Sequence, residues 1–475
     1  MRALIGHVPS AEQPLSIDPN REIPFETTWA RWVRIQEGIA DKPHNEQRLV
    51  FCTPRGGFGQ FISNVIGCVA LAMLTDRRLL INYDINPALD GPWIPERYEA
   101  SVWSVFEPHG LRVSDWNPAG GPIDQGSLMT ELGTYTHLEN PWQLLHIDQL
   151  LCTDFTTLAH LENASMLVWA YESSPLPLIS ANMRLRPRML TLAHGAVDSL
   201  GTPLLSELIG PRVFRPHSSI RQNLERLVAV AGPTTRVGLQ VRVAPWGWVA
   251  KGGTLFVDYP DRGNAPYVAA RCGYMSIPAS EREAPVTVFV VGDVAESVLS
   301  VLLVMYRVEG QVVHATNAEW LAHLSPSAEL LLRNTTSQPE LDGWLRTVMP
   351  HVVVLVFASG SRLVGFRPPR DIADLGTPVG MDRAVLEMWL LAQCNHVVLS
   401  ENSNFGSIAS AVFPRDKKVQ LVTRGYSPRC YPAMLGKFDG SMVSSQAQGA
   451  TCWSDKVHMI DSMGWLEATA NLTAL

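Results

Sequence analysis

The sequence predicts an α/β protein whose parallel, doubly wound sheet carries its functional residues at the carboxyl ends of strands. Three observations predict it. From about residue 220 to residue 422, short apolar runs rich in Val, Ile and Leu alternate with stretches of helical periodicity. A separate strand–helix–strand unit with a Gly-rich first turn lies between Arg48 and Asn82. Finally, 475 residues with 46% hydrophobic and 17% charged side chains can bury the cores of two or three domains.

The elements follow in chain order. The first 45 residues contain Pro and polar side chains and read as an extended arm with at most a short helix. Arg48–Thr53 is an apolar run, followed by the turn Pro54-Arg-Gly-Gly-Phe-Gly59. Gln60–Thr75 then sets Phe61, Ile62, Val65, Ile66, Val69, Ala70 and Leu74 at the spacing of a largely buried helix, and Arg78–Asn82 is the next strand. Residues 83–140 are Trp- and Pro-rich and irregular. Helix-like stretches occupy 143–226, interrupted by Arg184-Leu-Arg-Pro-Arg188, which reads either as a solvated turn or as a contact for an anionic acceptor.

The second system opens with helix Ile220–Val230 and strand Arg236–Val243. After an irregular Gly/Pro-rich stretch (244–285) come strand Val286–Val291, helix Ala295–Tyr306, a strand near Gln311 and helix Glu340–Val348. Strand His351–Ala358, helix Met381–Gln393, strand His396–Ser400, helix Phe405–Val412 and strand Val419–Val422 complete it. Two such systems joined near residue 225 predict a two-lobed enzyme with its site in the cleft. The expected division is an arm (1–45), an N-terminal lobe (46–225), a C-terminal lobe (226–460) and a tail (461–475).

Composition excludes some functions. A formal charge of −7 argues against a nucleic-acid-binding protein. No apolar stretch reaches the roughly 18–20 residues a membrane span needs. The N-terminus lacks the basic start and apolar run of a signal peptide, so a cytosolic chain, or one whose targeting segment has been removed, is expected. Of seven cysteines, Cys52, Cys68 and Cys394 sit in apolar surroundings and read as buried free thiols. A Cys430–Cys452 disulfide fits a secretory chain, as do the sequons at Asn163, Asn334 and Asn471.

Walker A, HExxH and GxSxG patterns are missing, as is the Asp-x-Asp triplet that holds a metal against a sugar-nucleotide diphosphate. A diphosphate here would be neutralised by side chains and backbone amides alone. Two elements suit that. Ser400-Glu-Asn-Ser-Asn-Phe-Gly406 lies between a strand and a helix, where free N–H groups and a partial positive charge face outward. Its Ser403 and Asn404 either bond a phosphate or merely cap the helix. Arg242, near the end of its strand, is either a bidentate phosphate contact or half of an interdomain salt bridge.

Gly238-Leu-Gln-Val-Arg-Val243 resembles the Gly-hydrophobic-Gln/His-Val-Arg strand motif of the group comprising plant xyloglucan α1,2-fucosyltransferases and the α1,6- and protein O-fucosyltransferases. Val385–Gln393, His396–Ser400 and Ser403-Asn-Phe-Gly-Ser-Ile-Ala409 are similar to that group's second motif, a helix bearing an acid followed by strand, loop and helix. Gly56–Gln60 through Leu80 resembles its N-terminal Gly-x-Phe/Leu-Gly-Asn turn, helix and strand. The three stand in the group's order over about 360 residues.

The resemblance implies a GT-B-like fold, two Rossmann-like lobes facing across a cleft. It implies an inverting, metal-independent transfer of fucose from GDP-fucose to a glycan or glycoprotein hydroxyl, without a resident cofactor, in the Golgi or another secretory lumen. Any membrane attachment would come from an anchor outside this chain. Arg242 would contact the β-phosphate, Gln240 and Glu387 the guanine, and Ser403, Asn404 and Phe405 the phosphates and ribose. Gly57, Phe58, Gly59 and Gln60 would approach the fucose. Gln60 and Asn404 depart from the group's usual Asn and Thr/Ser. No general base is identified; Asp84 reads as a candidate or as a structural cap. The competing readings are a GT-B enzyme with another nucleotide sugar and a non-catalytic carbohydrate-binding protein.

Overall fold

Apolar β-branched runs that must be covered on both faces become the inner strands of two sheets. In chain order the strands are β1 (Leu49–Cys52), β2 (Arg78–Ile81), β3 (Gln143–Leu144) and β4 (Met166–Trp169), then β5 (Thr235–Val241), β6 (Val286–Gly292), β7 (Val312–Thr316) and β8 (Val352–Phe357). The remaining strands are β9 (Arg362–Phe366), β10 (His396–Ser400), β11 (Val419–Thr423) and β12 (Cys430–Pro432). In the computed structural model the described residues are 19–43, 46–52, 58–81, 143–145, 147–164, 166–169, 174–182, 184–195, 205–232, 234–242, 265–333, 335–336, 339–367, 378–400, 403–411, 419–423 and 430–432. The chain divides into two compact units that meet in sequence between Arg215 and Pro216.

In the first unit, β2-β1-β4-β3 form a parallel sheet. Each residue of β1, β2 and β4 is buried. The Phe58–Thr75 helix connects β1 to β2 and packs against both. Two expectations change here. The residues read as an extended arm contain a helix, Pro19–Ala40, because Phe25, Trp32 and Ile39 recur every seven residues and are buried along one stripe. Gln36 of that helix ties it to β2, donating to Arg77 O and accepting from Leu79 N, both at 2.7 Å. The stretch read as helices only also contains β4, whose four apolar residues are too few to separate strand from helix by period.

The second unit holds an eight-stranded sheet, ordered β12-β11-β10-β5-β6-β9-β8-β7 among the described residues. Strands β11, β10, β5, β6 and β9 run parallel. Helices cover both faces. Val237 and Leu239 of β5 face the Ala265–Ser276 helix, while Gly238 lies against Leu391 and Cys394, beyond the other face. The sheet is not wholly parallel, as expected, but mixed: β8 runs antiparallel to β7 and β9, and β12 to β11. A tight turn explains β8–β9. Phe357 N donates to Ser361 O, and Gly360 takes the left-handed φ of +88° that the reversal requires. The Ala265–Ser276 helix also lies within the stretch expected to be irregular; its buried face is made of Ala269, Ala270, Cys272 and Gly273, too small to give a strong apolar period.

The cysteines overturn two further expectations. Cys52 and Cys68 form a disulfide rather than lying free, since the end of β1 and the middle of the Phe58–Thr75 helix bring their Cα atoms to 6.3 Å. An apolar setting suits a thiol and a disulfide equally, so composition cannot separate them. Cys430 pairs with Cys272, 158 residues away, not with Cys452, because the Ala265–Ser276 helix packs under β11 beside β12. Cys394 is buried and outside any disulfide, as expected.

Candidate functional site

Strand order in the larger sheet reverses at β5. The chain leaves β5 for β6 on one side and reaches β10 and β11 on the other. Such a reversal opens a crevice at the carboxyl ends of the two central strands, where open α/β sheets bind ligands. Arg242, Ser400 and Ser403 all lie there.

Side chains lock this corner. The β5–β10 ladder reaches Leu239↔Val398, and beyond it Ser400 takes over. Ser400 Oγ donates to Gln240 O at 3.0 Å and accepts from Arg242 N at 2.8 Å, while Ser400 N donates to Gln240 Oε1 at 3.1 Å. The backbone of Arg242 is therefore fixed at the edge, with its side chain half-buried. Gln240 is 5% exposed and its carboxamide oxygen is engaged inside the junction. Gly406 makes that junction possible: a Cβ there would lie 2.9 Å from Gln240 Oε1 and 3.2 Å from Leu399 Cδ2.

Ser403 is buried and its Oγ accepts from Gly406 N at 3.3 Å, so the capping reading describes its hydroxyl. Its helix, Asn404–Ala411, begins at the same edge, with Asn404 as first residue and Phe405, half-buried, as second. The cap satisfies the third N–H, and the helix start remains a dipole end suited to an anion.

Glu387 lies on the Pro378–Ala392 helix, which packs against β5, β6 and the Asn404–Ala411 helix. Its carboxylate accepts from Arg383 Nε at 2.8 Å, one turn earlier, with side chains only 10% and 14% exposed. Burial raises the Glu387 carboxyl above its ordinary range, and the charge and hydrogen bond of Arg383 work against that rise. Arg383 is absent from the sequence-based candidates, although its spacing of four from Glu387 on a helix was a signal for it. His351 was missed as well. Burial, with the charge of Arg383 second, pushes its imidazole down to about 3, so it is neutral.

The structure thus gathers Gln240, Arg242, Ser403 and Phe405 at one edge of the second unit, with Glu387 on the helix packed beside it. Phe58 and Gly59 are buried at the start of their helix in the first unit, and Gln60 belongs to its first turn. Gly57, Asp84, Cys452 and the sequons at Asn334 and Asn471 lie outside the described residues, as do the side chains of Gln60 and Asn404. Arg184 and Arg188 are exposed, but the cluster is not simply a turn, because Arg188 belongs to the Arg186–Leu192 helix. Among the described residues no group of His, Cys, Asp and Glu side chains could hold a metal ion, and no helix is long and apolar enough to cross a membrane.

No protein-family model matches the chain, and no curated protein sequence does. Solved structures similar to it include fucosyltransferases. An Arabidopsis thaliana FUT1 variant in complex with GDP has 15% identity and a TM-score of 0.43, covering 87% of this chain and 81% of that one. Fucosyltransferase NodZ from Bradyrhizobium has 15% identity and a TM-score of 0.38, covering 79% and 95%. POFUT1 in complex with GDP-fucose has 10% identity and a TM-score of 0.33, covering 81% and 98%. Likeness this distant does not transfer an activity.

Proposed function

We propose that this chain is a GT-B-like fucosyltransferase that moves fucose from GDP-fucose to a hydroxyl of a glycan or glycoprotein, with inversion and without a metal. One observation carries the reading. The residues of the two C-terminal motifs, far apart in sequence, meet at the strand-order reversal, where Arg242 is held by Ser400 beside a capped helix start.

In the proposed reaction the acceptor oxygen attacks the anomeric carbon from the face opposite the diphosphate. The bond from that carbon to the β-phosphate oxygen breaks, and GDP leaves with the electron pair. Charge therefore grows on the β-phosphate as the bond breaks. A guanidinium whose backbone is already fixed meets that charge without reorganisation. The Asn404–Ala411 helix start adds backbone amides to the same anion. Glu387 accepts from the guanine N–H groups. Gly57, Phe58, Gly59 and Gln60 are assigned to the fucose. The hydroxyl proton passes to water or to a base not identified among these residues. The Cys52–Cys68 and Cys272–Cys430 disulfides favour an oxidising, secretory compartment.

Release of GDP from GDP-fucose, measured over a panel of acceptor glycans with and without EDTA, tests the reading. Acceptor-dependent release that EDTA leaves unchanged is expected. Preference for a UDP-sugar, or GDP binding without turnover on any acceptor, would overturn it in favour of another transferase or a binding protein.

A further inference from the structure

Arg383 uses only its Nε–H on Glu387. Its Nη2 is buried and has no hydrogen-bond partner among the described residues. A buried cationic N–H without an acceptor is costly, so a donor in this state suits an acceptor on a ligand. The Nε2 of His351 is buried and unpartnered too, and the charge of Arg383 reaches this imidazole. Because β8 runs antiparallel to β9, His351 at its start reaches the edge at which β5, β6, β9 and β10 end. Arg383 therefore lies toward that carboxyl edge, on the helix packed against β5 and β6, rather than on a solvated helix face.

The pair presents an acceptor beside a donor. The Watson–Crick edge of guanine runs N2–H, N1–H and O6: two donors, then an acceptor. Adenine reverses this at both positions, with an acceptor at N1 and an amine in place of O6. Uracil offers one N–H between two carbonyls.

We propose that Arg383 and Glu387 read the base as one unit, the carboxylate accepting from guanine N1–H and N2–H and Arg383 Nη2 donating to O6. This rests on the GDP-sugar reading above and names the residue that sets base choice. Arg383 has a second effect, since its charge and hydrogen bond favour the carboxylate that burial disfavours. Titratable and charged groups near this helix are Arg383 and Asp382 on the helix itself, His217 at the start of the Ser218–Ala231 helix, and His351 at β8. His217 acts on Asp382, and of these groups only Arg383 acts on Glu387. The base-reading form is the anion, so affinity is full above the folded pKa of Glu387 and is lost as pH falls through it. Removing Arg383 raises that pKa, and the loss begins at higher pH.

The test is calorimetric titration of GDP, IDP and ADP into the full chain and its R383M and R383K variants, at several pH values, with melting curves confirming the fold. The wild-type chain should prefer GDP to ADP. In R383M, GDP and IDP, which share O6, should weaken roughly 10- to 100-fold while ADP stays within about threefold. The pH at which GDP affinity drops should rise in R383M and stay near wild type in R383K, which keeps the charge without the planar fork. An unchanged GDP-to-ADP ratio in folded R383M, or in R383K if R383M does not fold, overturns the proposal alone. A wild-type chain without preference for GDP overturns the donor reading and this proposal with it.

Discussion

Replacing Arg242 with Ala is expected to lower kcat for fucosyl transfer by roughly 10²–10³, the usual loss when one preorganised donor to developing charge is removed. The size follows from how Arg242 is held. Its N–H is bonded to Ser400 Oγ, which in turn donates to Gln240 O, so the residue is fixed to two strands before any ligand arrives. Arg242→Lys keeps a charge and loses the fork, and its rate should fall between those of the wild type and the Ala variant. Steady-state turnover with GDP-fucose, alongside the melting temperature of each variant, checks this. Near-normal turnover in folded Arg242→Ala would mean that leaving-group charge is stabilised elsewhere.

The second large effect is on stability. Glu387→Ala should cost about 3–5 kcal/mol, the range for removing one partner of a buried ion pair, because the Arg383 guanidinium is left buried without its carboxylate. Replacing both, as Arg383→Met with Glu387→Leu, removes the uncompensated charge and should cost less than Glu387→Ala alone. Urea unfolding of the wild type and these two variants measures both quantities. If the double variant is as unstable as Glu387→Ala, packing rather than charge dominates at this helix.

Much of the larger sheet was legible because β5, β6 and β10 are apolar runs buried on both faces, and such runs identify themselves. Strand β9 was not. It is five residues long, contains Gly365, and follows β8 through Ser359-Gly360-Ser361, a hairpin signal masked by the expectation of a helix between every pair of strands. That omission had a consequence at the site. An all-parallel sheet would put His351, which starts its strand, at the amino edge and away from the ligand; the β8–β9 hairpin brings it to the carboxyl edge. Arg242 and Ser403 could be found as the end of a strand and the start of a helix. For Arg383 the signal was ambiguous, since an Arg–Glu pair four residues apart on a helix also reads as a surface salt bridge, and only burial separates the two cases. The Cys272–Cys430 link was equally invisible, joining a helix and a strand 158 residues apart.

The central claim is that the edge around Arg242 binds the GDP part of a sugar nucleotide without a metal. The most direct measurement is a thermal-shift panel of GDP, UDP, ADP and CMP, each with and without EDTA. A ligand at 100 times its Kd adds about 2.7 kcal/mol to the folded state, a rise in melting temperature of roughly 2–4 °C. A rise with GDP alone, unchanged by EDTA, is the expected result. A larger rise with UDP, or a GDP effect that EDTA abolishes, would contradict it.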